Sequence, residues 1–223
     1  MIKLLIYDLD GTLIDSRRDI ADAVNGALQE LGLWEISIEK VSSFVGNGVR
    51  NLMTQAIKEA AGVNQKGREL PPLERSIKIF RARYGKNLLN HTHLYPSVKK
   101  VLEFFKERKQ AVITNKPEDF SRRILKGLGI DSYFFQVIGG DGGFPKKPSP
   151  EPVLEILRRV QVLPGEAVLV GDSATDVETG YNAGVKTIAV TYGFGKRAEI
   201  TAAKPDFILE DLSELIPCPL LKN

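Results

Sequence analysis

One cysteine, one tryptophan, two histidines and two methionines are all that 223 residues contain of those types. No apolar stretch approaches the ~20 residues of a bilayer-spanning helix, so a membrane protein is not expected. A lone Cys218 excludes an internal disulfide. The chain also opens directly into an apolar segment without a basic n-region or signal-type h-region, so a cytoplasmic, reducing setting is expected. The two charges nearly balance. The 31 Lys and Arg face 28 Asp and Glu spread along the chain, a net +3 that forms no concentrated footprint for nucleic acid. There is no internal repeat and no low-complexity tract. What remains is 43% hydrophobic and 26% charged, enough for one sizeable core or a core plus a smaller lobe.

Short apolar runs recur at Ile2 to Tyr7, Ala111 to Thr114, Phe134 to Ile138, Ala167 to Val170, Val185 to Val190 and Phe207 to Leu209. Without polar alternation they fit parallel strands covered on both faces. Amphipathic segments separate them. "KPEDFSRRILKGLG" sets Phe120, Ile124, Leu125 and Leu128 on one stripe and ends at Gly129, a helix stop. "KPSPEPVLEILRRV" offers Ser149 as an N-cap, Pro150 at the first helical position, and Val153, Leu154, Leu157 and Val160 facing inward. This alternation predicts an open α/β sheet. From 16 to 92 the rhythm changes to helices alone: Ile20, Val24, Ala27, Leu28 and Leu31 form one stripe, Leu52, Met53, Ala56 and Ile57 a second, and Leu73, Ile77, Phe80 and Tyr84 a third. The expected organisation is therefore a core of residues 1–15 and 93–223 with a helical insert, 16–92, acting as a lid where such sheets bind ligands. Hinges are expected at Leu13 to Ser16 and His91 to Pro96. Trp34 is read as packing, and His91 and His93 as a solvated connection.

"LLIYDLDGTLIDS" places two acids at a strand end, where side-chain alternation points Asp8 and Asp10 the same way. An Asx-turn with a helix cap would use the same residue types. A calcium loop would not: it wants acids at positions one, three and five and Gly at six, whereas Gly11 is fourth and Thr12 stands where the third acid belongs. The chemical reading makes one carboxylate a nucleophile and the other an acid/base, with a hard cation offsetting their repulsion. Other strand ends add to it. "AVITNKP" brings Thr114, Asn115 and a helix start near Pro117 together as an anion site; "FPKKPSP" supplies Lys147 as a point charge; "AVLVGDSATD" repeats strand, Gly and acid with Asp172 and Asp176. Each alone is also ordinary capping or solvated charge. Together, in this order, they are hard to attribute to capping.

At these residues the chain resembles the haloacid dehalogenase (HAD) superfamily: "DLDGT" matches its first motif, "TN" the second, Lys147 the third and "GDSATD" the fourth. "SFVGNGVRNLM", "VITNKP", "VIGGD", "KPSPEP" and "GDSATDVETGYNAG" are similar to its phosphoglycolate phosphatases. The resemblance implies a Rossmann-like HAD core with a parallel sheet and an inserted all-helical cap domain, and a Mg²⁺-dependent phosphatase that hydrolyses 2-phosphoglycolate. Asp8 would be the nucleophile and Asp10 the acid/base, with Thr114 and Lys147 also catalytic. Asp8, the Asp10 carbonyl and Asp172 would hold the metal, with Asp176 behind them. Gly11, Thr12 and Asn115 would contact the phosphoryl group, while Gly46, Asn47, Gly48 and Arg50 of the insert would face the rest of the substrate. The partner would be a small-molecule phosphate ester, with no nucleic acid and no membrane, and the chain a monomer or homodimer. A phosphomutase on the same scaffold is the rival, although Thr12 leans toward hydrolysis. A receiver-type signalling domain would be shorter and would lack the insert.

Overall fold

In a computed structural model, residues 1–62 and 70–221 are described. They form two compact units, one of Met1–Asp15 with His93–Asn223 and one of Ser16–Thr92.

The strands are β1 (Leu4–Tyr7), β2 (Ile14–Asp15), β3 (His93–Leu94), β4 (Lys109–Ile113), β5 (Gln136–Ile138), β6 (Ala167–Gly171), β7 (Lys186–Val190) and β8 (Phe207–Leu209). Six of them make one sheet in the order β5-β4-β1-β6-β7-β8, every pairing parallel. The unalternating apolar runs are the reason: every residue of β1 and β6 is buried, so both faces must be covered. β1 lies at the switch point, with β4 on one side and β6 on the other. Register sets Tyr7 level with Val112 and Val170, so Asp8, Thr114 and Asp172 leave the sheet at the same edge. Open α/β sheets bind their ligands at that edge. β2 and β3 pair antiparallel, Ile14 with Leu94 and Asp15 with His93, so the two segments read as hinges carry a short ladder.

The second unit is helical in its described residues: α1 (Arg17–Glu30), α2 (Ile38–Ser42), α3 (Gly48–Gly62) and α4 (Leu73–Lys86). Their apolar stripes are buried as the spacing predicts, with Leu52, Met53, Ala56 and Ile57 inside α3, and Phe80 stacked on Tyr84 in α4. Buried Asp19 ties the end of this unit to its start by accepting from the amides of His91 and Thr92 and the Thr92 hydroxyl, at 2.7–3.0 Å. Trp34 does not pack as expected; it is 62% exposed in the segment between α1 and α2.

The remaining helices, α5 (Val98–Phe104), α6 (Glu118–Gly127), α7 (Glu151–Val160), α8 (Ala174–Ala183) and α9 (Arg197–Ala202), belong to the sheet unit. α7 caps one residue later than the sequence predicts, on Pro150, with Pro152 in its first turn. Its buried stripe is Pro152, Val153, Ile156 and Leu157, whereas Leu154 faces solvent. The 3.6-residue period explains the swap, since Ile156 and Leu157 follow Val153 by three and four positions while Leu154 lies a hundred degrees away. Among the described residues no helix is long and apolar enough to cross a membrane.

Candidate active site

The site grows out of strand ends. Asp8 extends the sheet by one bond, its amide donating to the Val170 carbonyl at 2.9 Å, and Thr114 does the same to Ile138 at 3.0 Å. Lys147 comes from the loop before α7, reached through a cis peptide to Pro148. Its ammonium lies 2.8 Å from Asp8 Oδ1 and 2.6 Å from Asp176 Oδ1, with the lysine side chain only 3% exposed. The contact to Asp8 is a buried ion pair. Asp176 divides its carboxylate: Oδ1 takes the lysine, while Oδ2 accepts from the amide and hydroxyl of Ser173 at 3.1 and 2.6 Å and closes the capping box of α8.

Asp172 is held from both sides. Thr12 donates its hydroxyl to Oδ1 at 3.0 Å, and the amides of Phe194 and Gly195 donate to Oδ2 at 2.7 and 3.2 Å. Gly11 permits this approach, since it has φ +88° and a Cβ there would fall 2.2 Å from Asp172 Oδ2. Gly11→Ala combines left-handed strain with that clash, and a loss of about 2–4 kcal/mol of stability in urea unfolding is expected. A loss below about 0.5 kcal/mol would mean that the turn relaxes at no cost.

Three buried carboxylates, Asp8, Asp172 and Asp176, each present an oxygen within 4.8 Å of the others'. Burial, reinforced by Asp176 and opposed by Lys147, pushes Asp8 up to about 6. Burial and the charges of Asp8 and Asp176 push Asp172 to about 8, against the Phe194 amide and the Thr12 hydroxyl. Burial works against the charge on Lys147, but Asp176 and Asp8 outweigh it and raise its pKa. Beside this cluster Lys116 Nζ bonds both oxygens of Asp10, at 2.9 and 3.1 Å, with side chains 5% and 9% exposed.

Several expected phosphate contacts are otherwise engaged. Thr12 is fully buried and spends its hydroxyl on Asp172. Asn115 grips the Lys147 backbone reciprocally, Nδ2 to its carbonyl at 3.2 Å and Oδ1 from its amide at 2.9 Å. The start of α6, read as part of an anion site, is capped by Asp141, which accepts from the Glu118 amide at 2.8 Å. The Gly11 amide donates to the Ile14 carbonyl. In the helical unit Gly46 and Gly48 have φ of +112° and +81°, so the "VGNGVR" turn around Asn47 requires them, and Arg50 pairs with Glu74 on α4.

The acidic cluster fits a divalent cation. Three buried carboxylates against one ammonium leave an excess of negative charge that would repel a phosphate dianion, and an all-oxygen donor set is what a hard cation takes.

The family model for haloacid dehalogenase-like hydrolases matches residues 5–190, which include Asp8, Asp10, Thr114, Lys116, Lys147, Asp172 and Asp176. The chain belongs to that family. Proteins named phosphoglycolate phosphatase from Vibrio parahaemolyticus and Aquifex aeolicus are 39% and 38% identical to it, over 96% of this chain and 95% of each of theirs. A crystal structure of a predicted phosphoglycolate phosphatase from Haemophilus somnus superimposes with a TM-score of 0.92 at 34% identity, covering 97% of both chains. Two parts of this hydrolase site escape a reading by motif. Lys116 stands inside "TNKP" and the amide donors Phe194 and Gly195 inside "TYGFGK"; both follow strand ends on the ligand-binding edge, the signal that picks them out.

Proposed function

We propose that this hydrolase is a Mg²⁺-dependent phosphatase converting 2-phosphoglycolate to glycolate and inorganic phosphate through an aspartyl phosphate on Asp8. The observation that carries the reading is the buried Asp8–Lys147–Asp176 chain beside Asp172, with Asp10 two residues from the nucleophile. A carboxylate oxygen of Asp8 attacks phosphorus in line as the bond to the bridging oxygen breaks. Asp10 gives its proton to the departing glycolate oxygen, and then takes one from the water that attacks phosphorus, which frees phosphate and restores Asp8. Lys147 holds Asp8 in place and offsets the charge of the incoming phosphoryl oxygens. Thr114, whose hydroxyl oxygen accepts from the Lys116 amide at 3.2 Å, donates to one of those oxygens. Asp8, Asp172 and the Asp10 carbonyl would hold Mg²⁺, which when bound supplies charge neutralisation and alignment of the phosphoryl group.

The substrate assignment draws on relatives of that name. The helical unit is proposed as a cap, with Gly46, Asn47, Gly48 and Arg50 its candidates for substrate contact. A cytoplasmic setting suits a chain whose single cysteine is buried and unpaired. Phosphate release from a panel of small phosphomonoesters tests the reading. Preference for 2-phosphoglycolate and loss of release in EDTA are expected. A sugar phosphate that isomerises without releasing phosphate would replace the phosphatase with a mutase.

A further inference from the structure

The pair of Asp10 and Lys116 contains a second buried lysine that the phosphoryl chemistry does not use. We propose that Lys116 reads the substrate's other negative group, binding the carboxylate of 2-phosphoglycolate and so selecting it among phosphate esters. This rests on the substrate reading above.

Position is the first argument. Lys116 Nζ touches both oxygens of Asp10, at 2.9 and 3.1 Å. In the proposed reaction Asp10 meets the bridging oxygen of the ester, and in 2-phosphoglycolate a single methylene separates that oxygen from the carboxylate. A cation seated on Asp10 is therefore within reach of the substrate's carboxylate. An ammonium with three donors can keep one on Asp10 and turn another to a second oxygen.

Construction is the second argument. The backbone of Lys116 is fixed on both sides, its amide donating to Thr114 Oγ1 at 3.2 Å and its carbonyl accepting from Gly140 at 2.9 Å. The side chain is 5% exposed, so an ion pair formed there is little screened by water. Of the other cations already named, Lys147 stands between Asp8 and Asp176 and faces the phosphoryl group, and Arg50 is 61% exposed on the helical unit, where water screens its charge.

The test compares 2-phosphoglycolate with ethyl phosphate, which puts a methyl group where the carboxylate stands, on the full chain in Mg²⁺. For each protein the readout is the ratio of the two kcat/KM values, which cancels any loss of folded enzyme in one preparation. The wild type should prefer 2-phosphoglycolate. Lys116→Met should lower that ratio about 100-fold, mainly through KM for 2-phosphoglycolate, as removal of a charge-assisted hydrogen bond does. Lys116→Arg should retain most of the ratio. Equal losses on both esters, as expected if Lys116 only supports Asp10, would overturn the proposal, and so would an unchanged ratio. A wild type indifferent to the carboxylate would remove the substrate reading itself, and the subsite with it, before any variant is measured.

Discussion

Asp8→Asn is expected to lower phosphate release from 2-phosphoglycolate by at least about 10⁴-fold while the chain stays folded. The carboxamide has nearly the same size but no negative oxygen to attack phosphorus. Stability should move in the opposite direction to activity. Asp8 is pushed to about 6, above the 3.8 of an unfolded aspartate, so its charged form costs folding energy. That cost is absent below the unfolded value, grows as pH rises through the folded one, and is complete above it. In EDTA the Asn variant should therefore melt at about the wild-type temperature near pH 4 and several degrees higher near pH 8. Circular dichroism melts at both values, beside a phosphate assay, check the two halves separately. Retained turnover would remove Asp8 as the nucleophile, and a lower melting temperature at pH 8 would mean that its pairing with Lys147 outweighs burial.

Much of this was legible in the sequence because parallel strands announce themselves. Runs buried on both faces have no alternation to blur them, and the residue after each run falls at the sheet edge where ligands bind. Asp8, Thr114 and Asp172 all stand at or within two residues of such run ends, which brings them to one edge, while the order that sets β1 between β4 and β6 is a finding of the structure. Local periodicity failed where one residue shifts a helical face, as with Leu154 and Ile156. What could not be read was the partner each polar side chain takes. Thr12 and Asn115 are the residue types that a phosphate site uses, but the fold gives Thr12 to Asp172 and Asn115 to the backbone of Lys147, contacts spanning 160 and 32 positions. Lys116 went unremarked for the same reason: its meaning lies in an aspartate 106 positions away. Trp34 shows the converse, a large apolar residue whose exposure no local pattern signals.

Lys147→Met is expected to cost both activity and stability, and the two losses have different signatures. Removing the cation that faces the nucleophile takes away charge stabilisation aimed at the phosphoryl group, worth about 10²–10³-fold in kcat when a single donor of that kind is lost. In the ground state the lysine is the ammonium between Asp8 and Asp176, itself 3% exposed, and methionine fills its volume without its charge. Breaking a buried pair from one side costs about 3–5 kcal/mol, because the charges left behind stay desolvated. The stability loss should depend on pH, since carboxylates can shed their repulsion by binding protons. At pH 5 the cluster takes up protons and part of the loss is recovered; at pH 8, near the value to which Asp172 is pushed, less is recovered. A divalent cation should narrow the gap to wild type at pH 8, as it supplies the positive charge that the variant lacks. It should not restore kcat, because that charge would sit on Asp8 and Asp172 and not where Lys147 stands. Urea unfolding with Mg²⁺ or EDTA at the two pH values, paired with steady-state kinetics, separates these effects. A variant as stable as wild type at pH 8 in EDTA would show that the acids do not need the lysine, and full kcat would take Lys147 out of the reaction.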